Sequence, residues 1–252
     1  MRIDALPPAT RRILEACSGI EECGAFILIG GTALALVHGH RLSEDLDFAC
    51  PGAHLDRIVI GKILGGLRHA GFDPRLMPNE DARQEAEIGG LDLDDFQQDW
   101  EADGTKITFV ALAAVDPTGT LKDAPAIPFG TIRVADPSAV FSLKALALTD
   151  RTRSRDLFDV WFFLTRLGYS MEQFAAEVAR MKRNYPFESV KSRLVSPVIP
   201  KFDPGFQPLI DGPRTVDELV DELRAIVDAY EIREATRFAA RQLTEAPGKP
   251  AG

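Results

Sequence analysis

Gly30 to Asp47 reads GGTALALVHGHRLSEDLD, and the two ends of this stretch decide how the chain around it folds. At the left end, two adjacent glycines separate the apolar run Ala25 to Ile29 from the Ala- and Leu-rich run Thr32 to His38. A buried strand, a sharp turn and a helix fit that pattern, because glycine accepts the backbone angles of the turn and lets a ligand approach the main chain. The new helix presents free N–H groups and a positive dipole end, which suits a triphosphate. Thr32, at the start of that helix, is expected to cap it and to offer a hydroxyl to a phosphate oxygen. An ordinary helix start in a buried turn explains these residues equally well when they are taken alone.

The right end changes the balance. In Asp45-Leu46-Asp47-Phe48 the residues alternate, so on a strand both carboxylates project from one face while Leu46 and Phe48 enter the core from the other. Two neighbouring carboxylates repel and raise each other's pKa unless a cation lies between them. Mg²⁺ is the natural cation, since it binds one or two carboxylates together with substrate phosphates. A solvated surface strand is the competing account of the pair by itself. His38 and His40 lack the four-residue helical spacing of a metal-binding pair, and hard Mg²⁺ prefers oxygen to imidazole.

Working outward, a helix is expected from Pro8 to about Gly24, a strand at Ala25 to Ile29, and a short strand at about Asp45 to Ala49. The apolar residues between His54 and Ala70 fall at helical intervals, and a strand around Asp73 to Met77 follows. Leu91 to Trp100 and Thr105 to Leu112 read as a hairpin joined at Asp103-Gly104. After a strand at Thr131 to Ala135 the pattern turns helical: Pro137 to about Thr149, Arg155 to Leu167, Met171 to Arg183 and Val216 to about Leu243. Tyr185 to Arg214 is rich in proline and reads as irregular. The fold class is therefore α+β, a mixed sheet flanked by helices and followed by a mainly helical part. We divide it as 1–136, 137–244 completing the site, and a disordered tail at 245–252.

Composition narrows the functional classes. The 252 residues are 45% hydrophobic and 27% charged, enough to bury a full core. No apolar run reaches the roughly 20 residues that span a bilayer, so the chain is expected to be cytoplasmic, with no membrane partner. Cys17, Cys23 and Cys50 have neither an even count nor ligand spacing, which argues against disulfides and structural zinc. A net charge of −9 repels polyanions as a whole, so a nucleic acid must meet a local basic patch. Arg133, Lys144, Arg151, Arg153 and Arg155 form one candidate set; Lys182, Arg183, Lys191, Arg193 and Lys201 form a second, equally well read as solvated helix charge.

The order and spacing of GGTALAL and GHRLSEDLDF resemble the AbiEii/AbiGii and MenT-like nucleotidyltransferase toxins of bacterial toxin–antitoxin systems. The resemblance implies a nucleotidyltransferase-like sheet. It also implies phosphate contacts from Gly30, Gly31 and Thr32, and metal binding by Asp45 and Asp47. Arg41 is then placed to offset negative charge, and Ser43 to position the loop before Asp45. A later stretch, FSLKALALTDRTRSRDLFDVWFFL, follows the family's Lys…Arg…Arg-Asp-x-x-Asp-Leu pattern, with Val160 in place of the usual Leu. By resemblance, Lys144 holds triphosphate oxygens and Asp156 orients or deprotonates the acceptor hydroxyl. Without the resemblance, Arg155, Asp156 and Asp159 read as an exposed ion-pair set on one helix face, worth about 0.3–0.5 kcal/mol per pair.

The implied activity is Mg²⁺-dependent transfer of a nucleoside monophosphate from an NTP to an acceptor hydroxyl, with the tRNA 3′ end as acceptor and a cognate antitoxin as protein partner. One expected element is missing. Such folds often add a third carboxylate from a neighbouring strand, and Lys106-Ile107-Thr108-Phe109 places Thr108 there. Asp92 or Asp94 from the other hairpin strand, or Asp156, would complete the site; otherwise the chain is a weak or inactive NTP-binding protein that acts through a partner. An aminoglycoside-type transferase shares the first motif, and the Arg155-Asp156 motif speaks against it.

Overall fold

The glycine pair and the acidic pair meet at the centre of one mixed sheet. The computed structural model describes residues 1–50, 52–111, 113, 116 and 119–245. Helix α1 (Pro8–Ser18) starts on a proline and buries Ile13, Leu14 and Cys17. It is shorter than expected: the chain leaves the helix at Gly19 and makes a 3₁₀ turn at Glu21–Ala25 before strand β1 (Ile27–Ile29). Helix α2 (Gly30–His38) follows β1 without a linker and ends on Gly39, whose φ of +63° is the left-handed helix stop. Strand β2 (Leu46–Cys50) comes next, then α3 (Arg57–His69), whose cap Asp56 accepts from the N–H groups of Ile58 and Val59.

Strand β3 (Arg75–Leu76) and helix α4 (Glu80–Ile88) precede the hairpin of β4 (Gln97–Ala102) and β5 (Thr105–Ala111). Asp103 and Gly104 both have positive φ, +48° and +76°, the conformation an Asp-Gly hairpin turn requires. Helix α5 (Thr120–Asp123) leads to a second hairpin, β6 (Ala126–Phe129) and β7 (Ile132–Ala135). Helices α6 (Pro137–Asp150), α7 (Ser154–Arg166), α8 (Met171–Met181), α9 (Phe187–Val195) and α10 (Val216–Glu245) complete the fold.

The sheet order is β3-β4-β5-β2-β1-β7-β6. Strand β1 is antiparallel to β2 and parallel to β7, and β2 is parallel to β5, so the sheet is mixed. This agrees with the α+β class read from the sequence. Leu46 and Phe48 are buried as the alternation required, with Phe48 stacked on Phe109 and Phe26 set edge-on to the same ring. A hydrophobic cluster runs without a break from Leu6 through the sheet to Val227 on α10.

Several expected elements differ. Asp92 and Asp94 do not lie on a hairpin strand: Leu93–Asp95 is a 3₁₀ turn capped by the Asp92 carboxylate. Their short side chains take local backbone N–H groups and so break the strand. Helix α4 and strand β6 were not expected, because α4 buries none of its residues and β6 is short and carries a proline. The proline-rich stretch after Tyr185 holds helix α9, whose Val190 and Leu194 are fully buried. The end of the long helix extends to Glu245, while Leu112 and the tail from residue 246 lie outside the described residues.

Candidate active site

Gly30 makes the turn from β1 into α2 with φ +73°, where an L side chain is strained, and a Cβ there would stand 2.8 Å from Asp47 Oδ2. A Cβ on Gly31 would collide with the Arg41 guanidinium. The two glycines thus give room to the second acidic residue and to a buried arginine, as well as to any ligand. Asp47 lies in β2 opposite Ile29 of β1, so its carboxyl group rests against the start of α2.

Burial pushes the Asp47 carboxyl up from its ordinary range, and the neighbouring Asp45 charge pushes it further; Lys106, Arg151 and Lys144 pull the other way. Asp45 is half-buried and pairs with Arg155 at 3.3 Å. The pair therefore carries negative charge that its surroundings only partly offset. With the space above Gly30, that is a donor set fitted to a divalent cation shared with a ligand's oxygens. No group of three or more metal-binding side chains occurs among the described residues, so any such ion would take its remaining oxygens from substrate and water.

Thr32 does not cap α2, contrary to expectation: the capping position is Ile29, with no side-chain bond. The Thr32 side chain is buried inside the first turn, where its hydroxyl donates to the Asp45 carbonyl and meets Ser43 Oγ at 2.8 Å. It fixes the start of the acidic strand to the helix. Ser43 meets that hydroxyl two residues before Asp45.

The cations behind the site form a buried network, not the exposed ion pairs of the bland reading. Asp159 on α7 is wholly buried and accepts from Arg41 Nε at 2.7 Å, Arg41 Nη2 at 2.9 Å and His40 Nε2 at 2.7 Å, and pairs with Lys144 Nζ at 2.7 Å. Lys144 on α6 also donates to Asp156 at 2.6 Å, and Arg151 reaches the other oxygen of Asp156 at 3.1 Å.

Burial opposes ionisation throughout, and the opposite charges overcome it. Asp159 is held well below the usual carboxylate range by Arg41 and Lys144, and Asp156 is lowered by Lys144 and Arg151. Lys144 is raised against the same burial by Asp156 and Asp159. His40 is lowered by burial, which Asp159 only partly offsets, so the neutral ring donates from Nε2 while its buried Nδ1 has no hydrogen-bond partner among the described residues.

In front of this network lies a cavity of about 380 Å³, lined by Lys144 and Asp156 but not by His40 or Asp159. Its lining combines Asp45 and Asp47 with Lys106, Lys144, Arg151, Arg153 and Arg155, together with Gly31, Thr32, Arg41, Ser43 and Asp156. Of the residues given a phosphate, metal or catalytic role by the two motifs, all but Gly30 line this cavity; Gly30 borders a second cavity that Asp47 also lines. Arg133 is not among the lining residues, and of the second basic set Lys182 pairs with Asp150, Lys191 with Glu188 and Glu231, and Arg193 donates to the Leu148 carbonyl. Asp92 and Asp94 pair with Arg57 and Arg83, which removes them as the third carboxylate.

Sequence reasoning missed Lys106, Asp203 and Asp99. Asp203 caps α7 through the Ser154 N–H and hydroxyl and brings Pro204 to the cavity mouth. The loop around it is laced to the first motif, with Leu42 N–H donating to the Gln207 carbonyl and Leu209 N–H to that of His40. Asp99 was legible: counting back from the Asp-Gly turn pairs it with Thr108, and Thr108 is the neighbour of Asp47. The three stand in one row across β4, β5 and β2, and Asp99 holds Lys106 at 3.0 Å.

An acidic pair facing a ring of cations at a helix start defines a protein that handles phosphate esters. Residues 12–247 match the family model described as nucleotidyl transferase AbiEii toxin of type IV toxin–antitoxin systems. The chain belongs to that family and is a nucleotidyltransferase. It is 25% identical over 191 residues to an uncharacterized protein of Aquifex aeolicus strain VF5, covering 73% of this chain and 80% of that one. Among solved structures it overlaps JHP933 from Helicobacter pylori at 19% identity and a TM-score of 0.47, covering 92% and 96% of the two chains. It also overlaps MenT4, a nucleotidyltransferase toxin from Mycobacterium tuberculosis H37Rv, at 14% identity and a TM-score of 0.39, covering 75% and 68%. No helix among the described residues is long and apolar enough to cross a membrane.

Proposed function

We propose that the chain is a toxin that transfers a nucleoside monophosphate from an NTP to an acceptor hydroxyl, with Asp45 and Asp47 holding Mg²⁺ and the tRNA 3′ end as acceptor. The observation that carries this reading is the cavity in which the two carboxylates face Lys144, Arg151, Arg153 and Arg155. Held by Asp45 and Asp47, Mg²⁺ would supply charge neutralisation to the reacting phosphates.

The chain's own residues supply the rest. Lys144, kept charged by Asp156 and Asp159, is aimed at the triphosphate, where negative charge develops on the departing pyrophosphate. Arg151 and Arg155 line the same wall. The acceptor oxygen bonds to the α-phosphorus, the bond to the bridging oxygen of the β-phosphate breaks, pyrophosphate leaves and the hydroxyl proton passes to solvent. Asp156 is the positioning residue for Lys144 and Arg151. A carboxylate held ionised by two cations is a weak proton acceptor, so orientation is the part of its expected role that the geometry supports. Arg41 likewise serves by shaping the cavity lining, since Asp159 takes the Nε–Nη2 edge of its guanidinium and the Leu42 carbonyl takes Nη1.

The rival reading, an inactive NTP-binding protein acting through a partner, is favoured by Thr108, which stands beside Asp47 where a third carboxylate is expected. Incubation with Mg²⁺, each α-labelled NTP and total tRNA decides between them, with Asp47→Ala as control. Label in tRNA that vanishes in the variant supports transfer; NTP binding without label in any acceptor supports the rival.

A further inference from the structure

The second cavity at Asp47, about 330 Å³, opens between α6 and the strands β1, β2 and β5. Asp47, Lys106, Lys144 and Arg151 line both cavities, so the two meet at Asp47, while Asp45 lines the first alone. Beyond those shared residues their chemistry differs. The first is ringed by charge. The second is walled by Ile29, Val110, Leu143, Leu146 and Ala147, with Gln97 and Thr108 as neutral polar groups and Asp150, which pairs with Lys182, as its one further charged side chain.

We propose that this second cavity takes the nucleoside half of the NTP, with Gln97 as the group that reads the base. The inference rests on the reading of the first cavity as the triphosphate site. If the α-phosphate lies at Asp45 and Asp47 and the remaining phosphates face the cations, the nucleoside extends to the other side of Asp47, where this cavity begins. Its volume falls within the range of small-molecule sites, and apolar walls with a few fixed polar groups are what a flat base requires.

Gln97 is oriented for recognition. Its amide nitrogen lies 3.2 and 3.3 Å from the Asp99 oxygens, and a carboxylate only accepts, so the N–H edge faces Asp99 and the carbonyl turns away as an acceptor for a base N–H. Thr108, 8% exposed, has a hydroxyl bonded to no group among the described residues and can meet the sugar or the base edge. This gives Asp99 and Thr108 a use other than metal binding.

The test is calorimetric titration of the full chain, in Mg²⁺, with each of the four NTPs and with inorganic tripolyphosphate. Ala147 lies half-exposed on the cavity face of α6, so Ala147→Phe fills the cavity without entering the core. We expect that variant to weaken NTP binding about tenfold or more while tripolyphosphate binding stays within about twofold. Gln97→Leu should change the order of preference among the four NTPs and leave tripolyphosphate untouched. NTP affinity unchanged in Ala147→Phe, beside intact tripolyphosphate binding, overturns the nucleoside cavity alone. Wild-type protein that binds NTP but no tripolyphosphate overturns the phosphate reading and this proposal with it. If Ala147→Phe loses both ligands, Gln97→Leu decides, and an unchanged preference among the NTPs overturns the proposal.

Discussion

Asp47 carries a charge that its surroundings resist, and the sign of that resistance makes it testable. Its folded pKa lies above the unfolded value, so the folded state holds the proton more tightly and loses stability as pH rises through the raised pKa. Asp47→Asn should therefore raise the melting temperature of the metal-free protein by a few degrees while abolishing NMP transfer. Mg²⁺ should stabilise the wild type in thermal melts and not the variant. A variant that melts lower than wild type would show that the carboxylate is satisfied without a cation. Asp159 is the opposite case, a buried charge that four donor contacts hold ionised. Asp159→Asn leaves Arg41 and Lys144 short of a counter-charge in a dry site and should cost about 3–5 kcal/mol, read as a lower denaturation midpoint in urea.

At the scale of elements, the turn between β1 and α2 couples conformation to chemistry. Gly30→Ala places a non-glycine residue at φ +73° and sets its Cβ 2.8 Å from Asp47 Oδ2. The backbone cost is about 1–2 kcal/mol, but the displaced carboxylate is one of two expected to hold the cation. We expect the variant to stay folded by circular dichroism and to lose transfer activity far beyond its loss of stability; equal, small losses in both would make the turn a mere connector. This turn, β2 and the β4–β5 hairpin were legible because each is written in local residues: Gly-Gly, the Asp-x-Asp alternation and Asp-Gly. Helix α9 was not, because the prolines on either side of it mask a short apolar face that becomes meaningful only when Val190 and Leu194 find their core. Thr32 was misread for a related reason. A threonine at a helix start fits a cap by sequence, and only the return of β2 beside it shows that its hydroxyl serves the Asp45 carbonyl. The buried state of Asp156 and Asp159 was also hidden, since the three-residue spacing on α7 says that they share a face and not that α6 and the His40-Arg41 loop close over it.

Across the whole molecule, the same network that aims Lys144 joins the two halves of the chain, since His40 and Arg41 come before residue 136 and Lys144, Asp156 and Asp159 after it. Stability should then follow the protonation of that network. His40 has a folded pKa below its ordinary value, so as pH falls below about 6.5 the unfolded chain takes up a proton that the folded chain refuses, and stability drops. His38, also lowered by burial, adds to the same limb. Asp156 and Asp159 add a second, steeper loss below about pH 4, where the unfolded carboxylates protonate and the folded ones resist. Lys144 sets the alkaline side, because its raised pKa contributes stability that is lost only as pH climbs above about 10.4. The expected profile of melting temperature is a plateau from near neutrality to the lysine limb, with a first decline beginning near pH 6.5. Replacing both His38 and His40 with glutamine should flatten that first decline and leave the carboxylate limb in place. In an Asp47→Asn background, which removes the opposing gain as that carboxyl protonates, a profile flat from pH 7 to pH 5 would mean that the unfolded and folded imidazoles titrate alike, and the ring of His40 would then have to be open to water instead of packed on Phe162.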